Sequence, residues 1–240
     1  MSQSFFRRSI CAGLLCVGLV GCRNAPGKPH LDTATLRPEQ VVDFPTLYKQ
    51  NCSACHGAQG RQGAAISLAN SVYLATIGPQ NLTRIISSGV PGTLMPTFAK
   101  PSGGLLTASQ IDVLTHGMIE NWEPPTTIVT LPYAVHAGGD ATRGKLAYAT
   151  FCASCHGAQG MGGAHVGSIV DPDYLNLISD QTLRSTILGG KPEQSMPDWR
   201  TDSSQRPMTD QEVTDTVAFI ATHRPANADP QSQDLRRPHE

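Results

Sequence analysis

Apolar residues recur at helical spacing near the end of each half of this chain: Ile111, Leu114, Met118 and Trp122 in one, Val213, Val217 and Ile220 in the other. Each stripe opens on a capping box, Thr107 with Gln110 and Thr209 with Glu212, whose side chains can satisfy the free amides of a helix start. A shorter helix is expected earlier in each half, where Pro45 suits a first turn and where Gly144, Ala147, Tyr148 and Phe151 share one face. A middle helix is expected near Leu82 to Ser88 and near Thr182 to Leu188, each stopped by glycine. No stretch keeps up the alternation of a strand, so the pattern predicts a mainly α protein with long glycine-rich loops.

The halves repeat with a period of about one hundred residues, their matching parts in the same order. Tyr48, Cys52, Cys55, His56, Gly57 and Gly60 lie against Tyr148, Cys152, Cys155, His156, Gly157 and Gly160. Farther on, Gly89 followed by Met95-Pro96 answers Gly190 followed by Met196-Pro197. The expected organisation is an export signal over 1–21, a flexible tether over 22–38, a first domain over 39–123, a linker over 124–139, a second domain over 140–224 and a disordered tail over 225–240. The linker is rich in proline and glycine, with Ile128-Val129 as packing candidates in its middle. A stretched tether would reach roughly 55 Å at most.

Arg7 and Arg8 precede the apolar run Ile10 to Val20, which is too short to span a bilayer comfortably. Its end, Leu19-Val20-Gly21-Cys22, resembles a bacterial lipobox, which implies cleavage before Cys22 and a lipid on that residue. Ordinary secretory cleavage and an uncleaved anchor helix are the alternatives. All three place the functional part outside the cytoplasm. Loss of 1–21 leaves 16 Lys+Arg against 19 Asp+Glu, a net charge of −3, too mild to indicate nucleic-acid binding or strong steering.

Of the seven cysteines, Cys11 and Cys16 fall in the signal, Cys22 is the lipid candidate, and the other four form two Cys-x-x-Cys-His motifs. That motif is the attachment pattern of haem c. On one helical turn Cys52 and Cys55, or Cys152 and Cys155, can reach both vinyl groups of a porphyrin while His56 or His156 comes over the iron. A redox dithiol wants a thioredoxin-like alternation of strands and helices, and a four-cysteine zinc site needs two distant knuckles to converge. Neither accounts for both histidines. Two domains of 80 to 100 residues each would have marginal cores, roughly, by surface-to-volume scaling. An aromatic content of 5% fits cores completed by a large apolar cofactor.

Each half therefore resembles a class I cytochrome c domain, and the resemblance covers most of the chain. It implies a helix before the haem motif, a loop carrying a distal methionine, and a C-terminal helix crossing the first. One departure is Phe44, which stands where the second half has Gly144. A small residue there lets the two helices touch in the family, so the first half is expected to hold them farther apart or in a shifted register. Met95 lies 39 residues past His56, and Met196 lies 40 past His156. Their matched offsets make them the expected distal iron ligands. Met161, Met118, Met208, His116, His136, His165 and His223 have no such matched placement, and cysteine ligation is excluded because every thiol is assigned.

With both irons six-coordinate, the expected activity is one-electron transfer through two covalent haem c groups between redox protein partners or within a membrane respiratory complex. The lipid on Cys22 would hold the chain on the periplasmic side of a bacterial membrane. A di-haem enzyme, such as a peroxidase or a thiosulfate-oxidising enzyme, is the alternative from a different class. It would need one open or unusually ligated iron.

Overall fold

Side-chain caps start most of the helices, and they set where each element begins. A computed structural model describes residues 36–91, 93–122, 130–164, 166–200 and 206–225. The export signal, Cys22, most of the tether, Ile128-Val129, His165 and the tail beyond Pro225 lie outside the described residues. The chain divides into two units, Met1–Gln40 and Val41–Glu240. The described part of the first is a 3-10 turn at Pro38–Gln40, and the second holds both repeats.

In the first repeat α1 (Phe44–Asn51) starts at Asp43, whose side chain accepts from Thr46 N, and leads directly into the single turn α2 (Ser53–His56). Helix α3 (Ser71–Ser88) starts at Asn70 and bends at Gly78, where φ is +67° ahead of Pro79. Proline disfavours a helical conformation in the residue before it, and glycine takes the left-handed one at no steric cost. Helix α4 (Ala108–Trp122) closes the repeat behind its capping box, in which Thr107 N donates to Gln110 Oε1 at 3.0 Å and Gln110 N to Thr107 Oγ1 at 3.3 Å.

The second repeat has the same order. Helix α5 (Ala141–Phe151) runs into α6 (Ala153–His156), and α7 (Pro172–Leu177), α8 (Asp180–Gly189) and α9 (Asp210–Ala221) come after it. The break between α7 and α8 at Ile178-Ser179 takes the place of the bend at Gly78. Both repeats thus contain a helical turn, Ser71 to Ile77 or Pro172–Leu177, ahead of the segment that periodicity picks out. Among the described residues there is no strand, only isolated backbone bridges at Ala99/Leu106 and Lys191/Met196. No helix among them is long and apolar enough to cross a membrane.

The crossing of first and last helices explains the departure at Phe44. In the second repeat a Cβ on Gly144 would lie 1.9 Å from the Asp215 carbonyl oxygen, so α5 and α9 meet backbone to backbone. In the first repeat the small residue sits on the other helix: a Cβ on Gly117 would lie 2.3 Å from the Phe44 ring. Gly117 occupies the position that Phe219 holds in the second repeat, so the large and small partners have changed sides. Phe44 then stacks with Tyr48 and Trp122, at ring separations of 5.8 and 5.7 Å, while Phe219 meets Tyr148 at 5.3 Å.

The second half of the proline-rich linker is strapped to α8 and α9. The Pro132 carbonyl accepts two bonds from Arg184, at 3.0 and 2.6 Å, and the fully buried Arg184 also reaches Thr214 and Asp210. His136 Nε2 contacts Asp210 at 2.8 Å. Leu131 packs with Val72, Leu188 and Trp199, a cluster that draws on both repeats.

Candidate functional site

Cys52 and Cys152 stand at the helix-to-helix junctions, and their carbonyls organise the turns that bear the motifs. The Cys52 oxygen accepts from Cys55 N at 3.2 Å and from His56 N at 3.0 Å, and the Cys152 oxygen accepts from Cys155 N and His156 N at the same two distances. Both motifs are therefore single turns that bring two thiols and an imidazole to one place. A tyrosine locks each turn: Tyr48 Oη donates to the Gly57 carbonyl at 2.9 Å, and Tyr148 Oη to Gly157 at 2.7 Å. Gly57 and Gly157 take φ of +82° and +77° as the chain leaves the turn. Cys52 is buried, Cys152 half-buried, and Cys55 and Cys155 exposed. Burial pushes the Cys52 thiol up to about 12, with Cys55 adding to the shift.

Among the described residues no group of three or more His, Cys, Asp or Glu side chains could hold a metal ion. The two cysteine pairs therefore do not converge into a four-cysteine zinc site.

His56 is buried, and its Nδ1 lies 2.8 Å from the Ile66 carbonyl. A carbonyl only accepts, so Nδ1 carries the proton and Nε2 keeps its lone pair for a metal. Burial also holds His56 below the ordinary histidine value, partly offset by the Ile66 bond. His156 is held low by burial first and by Lys191 second. Its Nδ1 is buried and has no hydrogen-bond partner among the described residues. The corresponding loop differs, since the Val166 carbonyl there is taken by Gly163 N at 2.8 Å. Neutral imidazoles one residue past paired thiols are the donor set that a covalently held haem iron requires, so these residues fit the group.

The two methionine loops are built alike. Each middle helix ends at a glycine of positive φ, +69° at Gly89 and +64° at Gly190, and each loop folds back onto that glycine. A Cβ on Gly89 would lie 2.7 Å from the Met95 carbonyl oxygen, and one on Gly190 would lie 2.6 Å from the Pro197 backbone. Val90 N donates to Met95 O at 3.1 Å, and Lys191 N to Met196 O at 2.9 Å. Both methionines are half-buried. The unmatched candidates stand elsewhere: Met161 is exposed, Met118 and Met208 are packed in cores, and His116 is exposed with its Nδ1 on the Asp112 carbonyl. His136 is tied to Asp210, and His223 lies edge-on to Phe219.

Sequence reasoning did not single out Tyr48 and Tyr148 as locks on the haem-motif turn, although their matched place in the repeat was a signal for it. It also passed over Asn70, a buried side chain bonded to both repeats: its capping bond to Tyr73 N is matched by that of Asp171 to Tyr174 N, while its bond to the Gly189 carbonyl joins it to the other repeat.

Comparison with known proteins identifies the family. The family described as "Cytochrome C oxidase, cbb3-type, subunit III" matches residues 39–114 and 139–220. The chain is 30% identical over 172 residues to a protein of Azospirillum sp. (strain B510) named "Cbb3-type cytochrome c oxidase subunit CcoP", covering 64% of this chain and 54% of that protein. It is also 30% identical over 129 residues to "Cbb3-type cytochrome c oxidase subunit FixP" of Sinorhizobium medicae (strain WSM419), covering 51% and 41%. The chain thus spans about half the length of the curated relatives it matches. A chain of the Kuenenia stuttgartiensis reducing HAO-like protein complex aligns with a TM-score of 0.45 and 16% identity, over 76% of this chain and 96% of that one. This chain belongs to the cbb3-type cytochrome c oxidase subunit III family and is a mainly helical di-haem c-type cytochrome, with tandem cytochrome c domains and two covalently attached haem c groups.

Proposed function

We infer that the chain moves single electrons between redox partners as the electron-transfer part of a respiratory complex, not as an enzyme in its own right. The thioethers form at Cys52 and Cys55 in a first domain over 39–123, and at Cys152 and Cys155 in a second over 140–224. His56 and His156 are the proximal ligands, Met95 and Met196 the distal ones. Bound haem iron supplies a one-electron couple whose potential is raised by Met/His ligation.

The chain's own groups do the rest. The Ile66 carbonyl fixes the His56 tautomer and ring orientation. Tyr48 and Tyr148 hold the turns on which the thiols and imidazoles converge. Gly89 and Gly190 let the methionine loops fold back onto the ends of their helices. The observation that supports this reading best is the duplication of the whole site, methionine loop included. An enzyme of the peroxidase kind needs one iron made different from the other, and here both loops present a methionine whose carbonyl accepts from the residue after the helix-ending glycine.

The complex membership rests on the relatives named as cbb3-type oxidase subunits. The export signal over 1–21 and a lipid on Cys22 would place both domains on the periplasmic side of a bacterial membrane, joined to it by the tether over 22–38. The linker over 124–139 and the tail over 225–240 complete the organisation.

The test is a redox-monitored absorption titration of haem-loaded protein, repeated with carbon monoxide on the reduced form. Two steps at positive potential with no carbon monoxide bound are expected. Ready binding at one haem would overturn methionine ligation there and favour a catalytic centre. Purification in mild detergent tests the complex, because a free carrier would come away alone.

A further inference from the structure

One buried polar contact joins the two repeats. Asn70 Oδ1 accepts from Tyr73 N at 3.0 Å and so caps α3 of the first repeat. Its Nδ2 donates to the Gly189 carbonyl at 2.7 Å, at the last residue of α8 in the second repeat. Asn70 is 7% exposed, so both bonds form away from water. A Cβ on Gly189 would lie 3.3 Å from both Asn70 Nδ2 and Tyr73 Cβ, which places the end of α8 directly against this corner of α3. Around it, Val72 packs with Leu188 and Trp199, and Tyr133 of the linker packs against the core cluster that contains Tyr73.

The contact is connected on both sides to the haem sites. Upstream, Ala69 N donates to the carbonyl of Gly60 at 2.9 Å, and Gly60 N to that of Gly57 at 3.1 Å, so the chain entering Asn70 is tied to the first Cys-x-x-Cys-His turn. Downstream, Gly190 presses on Pro197, and Lys191 and Met196 exchange backbone bonds of 2.9 and 3.1 Å. The carbonyl that Asn70 holds is thus one residue from the glycine on which the Met196 loop folds. The first repeat has no such clamp among the described residues: Ser88, in the place of Gly189, is exposed.

We propose that Asn70 is a positioning residue that fixes the Met196 loop from the other repeat, so that distal ligation of the second haem depends on the first domain. The proposal rests on Met196 being the distal ligand. Its distinctive consequence is that a substitution in the first repeat changes the haem of the second and leaves its own haem alone. Coupling of this kind needs a contiguous set of packed and bonded groups between the sites, which the contacts from Gly57 to Met196 supply.

The test uses the full haem-loaded chain with Asn70→Asp and Asn70→Ser. Both keep an oxygen to cap Tyr73 N. Asp turns a second oxygen toward the Gly189 carbonyl, and Ser is too short to reach it. Met95→His and Met196→His, made in the parent, identify which titration step belongs to which haem. In both Asn70 variants the step assigned to the second haem should shift, and its methionine-to-iron absorption band should weaken. Carbon monoxide affinity at that reduced haem should rise about tenfold, the equilibrium equivalent of one net hydrogen bond. The first step should stay in place, with unchanged helical circular dichroism. An unmoved second step in both variants, whatever the first one does, overturns the proposal. If Met196→His moves neither step in the parent, distal ligation by Met196 is what fails, and that outcome is read without any Asn70 variant.

Discussion

The exchange of large and small partners between the repeats can be tested by adding one methyl group. Gly117→Ala places a Cβ 2.3 Å from Phe44 Cδ2 and 2.4 Å from Cγ, well inside the 3.5–4.0 Å or so at which carbon atoms pack. Helices α1 and α4 must spread, or the Phe44 ring must leave its contacts with Tyr48 and Trp122; overpacking of this degree costs about 1–3 kcal/mol. Most of the obstacle is the ring, so Phe44→Ala removes the two closest atoms and leaves only the Phe44 Cβ, 2.9 Å from the added methyl. In that background Gly117→Ala is expected to cost much less than in the parent, the gain from the better helix former offsetting part of the remaining contact. The cycle therefore carries a coupling of about 1–3 kcal/mol. Gly144→Ala behaves differently, because its Cβ meets the Asp215 backbone oxygen at 1.9 Å, and no truncation of Phe219 relieves that. Denaturant unfolding of the haem-loaded protein, with the slope checked for constancy across variants, measures all four corners. Equal costs for Gly117→Ala in both backgrounds would refute the reciprocal packing.

Three further outcomes are expected. Arg206 holds the Glu212 carboxylate down at about 2 from its usual 4.5. The stability this contributes is present above the usual value and lost as pH falls from there toward 2; stability curves of parent and Glu212→Gln that stay parallel through that window would contradict it. Arg184→Met leaves the Pro132 carbonyl and Asp210 without their buried guanidinium, at a cost of about 3 kcal/mol in unfolding free energy, and a loss under about 1 kcal/mol would show that the strap is not held this way. Tyr148→Phe removes the bond to Gly157 and should cost about 1 kcal/mol, with faster amide exchange at Gly157 to Gly160 as the local sign; unchanged exchange there would remove the locking role.

Much of the candidate site was legible in the chain because its chemistry is local. Two cysteines and a histidine within five residues share a turn in any helical context, and the second copy, with its own methionine at nearly the same offset, separated the motif from chance. The capping boxes at Thr107 and Thr209 were readable for the same reason, since both bonding partners lie within one turn. The helical segments at Ser71 to Ile77 and Pro172–Leu177 left weaker signals, the caps Asn70 and Asp171 and the proline after Asp171, which short amphipathic runs did not reinforce.

The covalent chemistry and the helical class were written in residues within a few turns of one another, and the duplication in the recurrence of those same local motifs about one hundred residues on. It took the packed helices to match Phe44 with Gly117, to strap down the linker with Arg184 and His136, and to bring Asn70 to Gly189. These are pairings between residues tens to more than a hundred positions apart. Their partners differ between the two repeats, so no period in the sequence marks them, and they form only when the helices have already met.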